Sequence, residues 1–132
     1  MKKLLLTVIA VVLMAGNISA QGVARECVLI EAFTGIGCSY CPAAANGIAQ
    51  MLEEGLSIAP LAFHNSSYSP PQYATSETNA RATYYNVNGF PTVRIDGMYE
   101  IEGGGPASQS SYSSYKPLYD QRINVPSPFS ID

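Results

Sequence analysis

Two cysteines with two residues between them, Cys38 and Cys41, are the side chains of this sequence best suited to chemistry. They lie in Phe33-Thr34-Gly35-Ile36-Gly37-Cys38-Ser39-Tyr40-Cys41-Pro42, where an apolar run meets a glycine-bearing loop and then an alanine-rich segment. A dithiol at such a strand-to-helix junction suits thiol–disulfide exchange. The thiolate is the nucleophile, and the start of a helix lowers a cysteine pKa through unpaired N–H groups and the positive end of its dipole. Cys38, at the exposed end, is the expected attacking thiol. Cys41, one turn on, reaches back to resolve the mixed disulfide. Pro42 has no N–H and belongs within the first turn, so the regular helix is expected to begin near Cys41. A permanent disulfide and half of a zinc site are the alternatives, and zinc would have only Cys27 and His64 to complete it. The strand–loop–helix context favours redox chemistry, with no metal and no cofactor.

Cys27 leaves the cysteine count odd. Six residues of strand put it about 20 Å from the Cys38 loop, whereas a disulfide needs Cα atoms within about 7 Å. It reads as a buried strand thiol, the alternative being an intermolecular bridge. His64 reads as a plain loop histidine at the sheet edge that carries the Cys38 loop, with tuning of a thiol as the alternative role. Gly89-Phe90-Pro91-Thr92 follows a helical segment and opens a strand.

The elements that must hold these residues follow from periodicity and punctuation. Cys27 to Phe33 is a near-continuous apolar run, as in a parallel strand covered on both faces. Ala43 to Glu54 is a helix whose Ala44, Ile48, Met51 and Leu52 share one face, with Gly55 as its C-cap. Leu56 to His64 is a second strand, and Pro60 within it requires an edge position. Tyr73 to Val87 is a helix that tertiary packing must hold, since its Thr and Asn content makes it intrinsically weak. Thr92 to Asp96 and Met98 to Glu102 form a hairpin about Asp96-Gly97. Ala107 to Ser114 reads as irregular, and Pro117 suits the first turn of a last helix carrying Leu118, Tyr119 and Ile123. The order is β-α-β-α-β-β-α. It predicts an α/β fold with a mixed sheet and helices on both faces, the minimal thioredoxin-like architecture.

The 132 residues allow one small domain, and 47% hydrophobic against 13% charged residues allow it a packed core. Lys2 and Lys3, an apolar run from Leu4 to Ala15 and small residues up to Ala20 have the layout of a secretory signal peptide over residues 1–20. No cysteine follows the apolar run directly, so a lipid anchor is not supported. Removing Lys2 and Lys3 from 7 basic and 10 acidic residues moves the net charge from −3 to −5. That balance disfavours nucleic acid as a partner, and export would put the cysteines where disulfides persist. Residues 125–132 read as a linker and the opening of a further segment.

Val28-Leu29-Ile30-Glu31-Ala32-Phe33-Thr34-Gly35, the Cys38 to Pro42 group, and Tyr85-Asn86-Val87-Asn88-Gly89-Phe90-Pro91-Thr92 with Asp96-Gly97 together resemble the thioredoxin superfamily over about residues 25–124. Within it they are similar to the outer membrane protein 28 related family of exported bacterial proteins. The resemblance implies a Cys38–Cys41 redox disulfide and a cis bond before Pro91. It also implies a substrate groove beside Phe90 and Pro91, and Glu31 as proton acceptor for the resolving cysteine, the alternative being a solvent-facing glutamate. The implied partners are protein thiols and disulfides and a redox partner. The implied location is the periplasm, the outer membrane or the cell surface. The rival reading is a non-catalytic surface module with a structural disulfide.

Overall fold

The computed structural model describes residues 22–129. The expected signal peptide lies outside the described residues. The described residues fall into two units, Arg25–Val125 and a smaller one of residues 22–24 and 126–129. In the smaller unit Val23 and Ser127 form an antiparallel bridge, with N–H···O distances of 2.9 and 2.8 Å. Among the described residues no helix is long and apolar enough to cross a membrane.

The larger unit runs β1 (Val28–Thr34), α1 (Cys41–Glu53), β2 (Ile58–His64), α2 (Ser76–Tyr84), β3 (Thr92–Ile95), β4 (Tyr99–Glu102) and α3 (Tyr112–Ile123). The sheet order is β2-β1-β3-β4, with β1 parallel to β2 and antiparallel to β3. This is the minimal thioredoxin-like arrangement, and β2 with its Pro60 is at the edge. Alternation along β1 sorts the two faces. Val28, Ile30 and Ala32 enter a core with Ala44 and Met51 of α1 and Tyr115 and Tyr119 of α3. Glu31 and Phe33 turn to the other face, where α2 lies.

Four expectations from sequence need correction. Cys27 is exposed and just ahead of β1, because Val28 is the first residue paired to β2. Met51 is fully buried in the core, yet Leu52, expected on the same face, is 49% exposed, because it faces the cavity beside the edge strand β2. The second helix is shorter than its apolar pattern. Thr75 and Thr78 close a reciprocal capping box at its start, with Thr78 N donating to Thr75 Oγ1 and Thr75 N to Thr78 Oγ1. The last helix begins at Tyr112, inside the segment expected to be irregular, and Pro117 lies in its interior. Burial of Tyr115 and Tyr119 on either side of that proline offsets the backbone hydrogen bond it forfeits.

Candidate functional site

The junction between β1 and α1 is built from a tight turn. Cys38 N donates to Gly35 O (3.1 Å) and Cys41 N to Cys38 O (3.3 Å), which folds the loop back onto the first turn of α1. Cys41 is the first helical residue and Pro42 follows it within the first turn. Cys38 and Cys41 form a disulfide with a Cα–Cα distance of 5.4 Å. Two features differ from the sequence reading. Cys38 is 8% and Cys41 5% exposed, so the attacking position is a buried one rather than an exposed end. The N–H of Ala43, in the first turn, is not left unpaired, since it donates to Gly105 O at 3.0 Å. What remains of the helix's pull on Cys38 is its dipole more than free donors.

Two segments clamp this junction, and sequence reasoning assigned neither of them to the site. The first is the glycine run after β4. Gly105 N donates to Tyr40 O (2.8 Å) and Gly103 N to Pro91 O (2.8 Å). Gly104 lies between them so closely that a Cβ there would overlap Tyr40 O and lie 2.8 Å from Pro91 Cγ. The second is the loop after β2. Gly37 N donates to Tyr68 O (2.8 Å), Ile36 N to Ser69 Oγ (3.1 Å), and the Tyr68 ring meets that of Phe90 at 5.5 Å. A run of three glycines after a hairpin was the available signal for the first segment. The second leaves no local trace, because Tyr68 is placed by a chain reversal.

The Phe90–Pro91 peptide is cis, and Pro91 lines the same cavity as Cys41. Ile36 (60% exposed) and Tyr40 (62%) flank Cys38 in the chain, and Tyr68 lies beside Phe90, so apolar side chains are exposed next to the cysteines. His64 reaches the loop indirectly: its Nδ1 lies 3.1 Å from Ser69 Oγ, the acceptor of the Ile36 N–H.

Glu31 is not brought to this cluster. Ala32 and Thr34 line the cavity with Cys41, so strand alternation turns Glu31 to the α2 face. It is 1% exposed, which removes the solvent-facing alternative, and both its oxygens are engaged. Arg81 Nε donates to Oε1 at 2.7 Å and Tyr85 OH to Oε2 at 2.8 Å. Arg81 also donates to Tyr85 OH at 3.0 Å, and the Arg81 and Arg94 guanidinium groups each lie 4.7 Å from the Tyr85 ring centre. The network fixes α2 to β1 and β3. Glu31 is thus paired with Arg81 and Tyr85 and is not among the residues that line the cavity with Cys41.

Burial, and then the hydrogen bond to Glu31, push the Tyr85 hydroxyl above the ordinary tyrosine value. A raised folded-state value favours the neutral phenol in the folded protein. Its contribution is full below the unfolded value of about 10 and is lost as pH rises through the folded one. The midpoint of urea unfolding should therefore fall as pH rises above about 10, and Tyr85→Phe should make that fall shallower. A Tyr85→Phe profile as steep as wild type would refute the assignment.

Among the described residues no group of three or more His, Cys, Asp or Glu converges as a metal site would require. No protein-family model matches the chain, and no curated protein does. Among solved structures the chain is similar to chloroplastic thioredoxin z. The two are 21% identical with a TM-score of 0.48, over 74% of this chain and 79% of that one. From its own strand order and connectivity, the larger unit is a thioredoxin-like fold that carries a Cys-x-x-Cys disulfide at the first turn of α1.

Proposed function

We propose that this chain is an exported thiol–disulfide oxidoreductase-like domain acting on protein substrates. The observation that carries the reading is the Cys38–Cys41 disulfide at the N-terminal turn of α1, beside Pro91 and an exposed apolar rim. In the reducing direction the Cys38 thiolate attacks a substrate disulfide, forming a mixed disulfide and releasing one substrate thiolate. Cys41 then attacks Cys38 Sγ and expels the second. Two electrons pass to the substrate and the Cys38–Cys41 bond forms; the reverse sequence oxidises a substrate dithiol. Phe90 and Pro91 flank the substrate. A separate redox partner restores the starting state.

Export to the periplasm, the outer membrane or the cell surface rests on the Lys2 to Ala20 pattern. The outer membrane protein 28 related likeness rests on the Glu31 to Gly35 run. The burial of both cysteines supports a second reading, a surface binding module whose disulfide is structural. Cys41→Ser separates the two. In the oxidoreductase, incubation with a disulfide-bonded protein such as insulin leaves a covalent adduct through Cys38, absent in Cys38→Ser. A structural disulfide leaves none in either variant.

A further inference from the structure

Among the described residues, one face of α1 has no partner. Ala45, Ala49 and Leu52 are exposed along it at helical spacing, and they overhang the free edge of β2, where Pro60 and Ala62 are also exposed. Between helix and strand lies a cavity of about 310 Å³ that Cys41 and Pro91 also line. Short side chains cause it, because alanines meet across α1, β1 and β2 without reaching one another. Among the described residues no charged side chain lines it.

The strand edge beneath is open in a defined pattern. Val28 N donates to Ser57 O (3.0 Å) and Asn65 N to Thr34 O (2.9 Å). Those two bonds set the phase of the parallel ladder, so even-numbered residues of β2 turn their backbone groups outward. Ile58 N is taken by Leu56 O, His64 O accepts from Thr78 Oγ1, and Pro60 has no N–H. The carbonyls of Ile58, Pro60 and Ala62 and the N–H groups of Ala62 and His64 have no backbone partner among the described residues.

We propose that this edge takes an extended apolar segment of the substrate polypeptide as an added strand, with every second side chain entering the cavity under α1. The identification of the polypeptide as substrate rests on the oxidoreductase reading, since it uses the continuity of the cavity with Cys41. From Cys41 to Leu52 the helix spans about 16 Å, which is about five residues of extended chain. Backbone pairing supplies the attachment, and alternate Val, Ile or Leu side chains supply the selectivity. A free fatty acid fits less well because its carboxylate would find no cation in the lining. A second copy pairing about a two-fold axis would forfeit the Pro60 bond twice, whereas an incoming peptide forfeits it once.

The test titrates the ¹⁵N-labelled full chain with the cysteine-free peptide Ac-Val-Thr-Val-Thr-Val-NH2, following backbone amides by NMR. Saturable shifts at the Ala62 and His64 amides are expected. Binding should be about tenfold weaker in Ala49→Glu and in Ala45→Glu, which place a carboxylate on the uncharged wall at exposed helix positions. It should also be about tenfold weaker with Ser in place of Val in the peptide. Shifts confined to other residues, equal binding by the variants, or equal binding of the Ser peptide would overturn the proposal. So would concentration-dependent shifts of the same amides without peptide, which would assign the edge to a second copy. Because the probe has no cysteine, its binding is read whether or not the dithiol turns over. An inert dithiol with intact peptide binding would overturn only the oxidoreductase reading and the word "substrate".

Discussion

Gly104→Ala should destabilise the domain by about 2 kcal/mol, as overpacking of a filled site does, and should slow thiol–disulfide exchange in the same variant. The added methyl would overlap Tyr40 O and approach Pro91 Cγ. Neither neighbour can rotate away, since one is main chain and the other a ring fixed by its own backbone. The glycine run must then withdraw. With it go the bonds from Gly105 N to Tyr40 O and from Ala43 N to Gly105 O, which join the run to the turn that carries the disulfide. Gly103 supplies the contrast. Its φ is +97°, but a Cβ there meets nothing within 4 Å. Gly103→Ala should cost about 1 kcal/mol through backbone strain alone and leave exchange near wild type. Urea unfolding gives the stabilities. Equal exchange rates for Gly104→Ala and wild type would show that the glycine run does not position the dithiol.

Arg81→Leu should be the more costly change, at about 3 kcal/mol. Glu31 is 1% exposed and would keep only Tyr85 as partner for its buried charge. The figure sits at the low end for a broken buried pair because the Arg81 side chain is itself 37% exposed, so water can reach part of the vacated space. The discriminating variant is Glu31→Gln combined with Arg81→Leu. Removing the charge together with its partner should recover part of the loss, since the cost lies in the uncompensated carboxylate more than in the missing bond. A double variant less stable than Arg81→Leu alone would contradict that account. Exchange chemistry should persist in both variants, because the network faces α2 and not the disulfide.

These two sites also mark where the sequence was informative and where it was not. The strand–loop–helix reading around Cys38 and Cys41 rested on local signals, an apolar run, two glycines and a proline, and local signals survive folding. The edge position of β2 was readable from Pro60, because a proline inside a regular strand cannot donate to a ladder and is excluded from a central one. Leu52 shows the limit. Helical spacing groups it with Met51, but Met51 meets the core and Leu52 only the cavity beside the edge strand β2. Cys27 failed for a similar reason, as the apolar run does not say which residue is first paired. The partners of Glu31 are Arg81 and Tyr85, 50 and 54 positions away, and no local pattern joins them. The same holds for Tyr68 and Gly104, which reach the loop carrying the disulfide only through the fold. Pro117 misled because its commonest position, the first turn, is not where buried Tyr115 and Tyr119 hold it.

The central claim is that the Cys38–Cys41 disulfide is exchanged in function rather than kept. Equilibrating the protein in graded glutathione buffers and trapping its thiols gives the reduction potential directly. The account predicts a dithiol that titrates within the range of known oxidoreductases, roughly −270 to −120 mV, with insulin reduction lost in Cys38→Ser. A disulfide that stays closed below roughly −300 mV, with no turnover by the wild type, would contradict it.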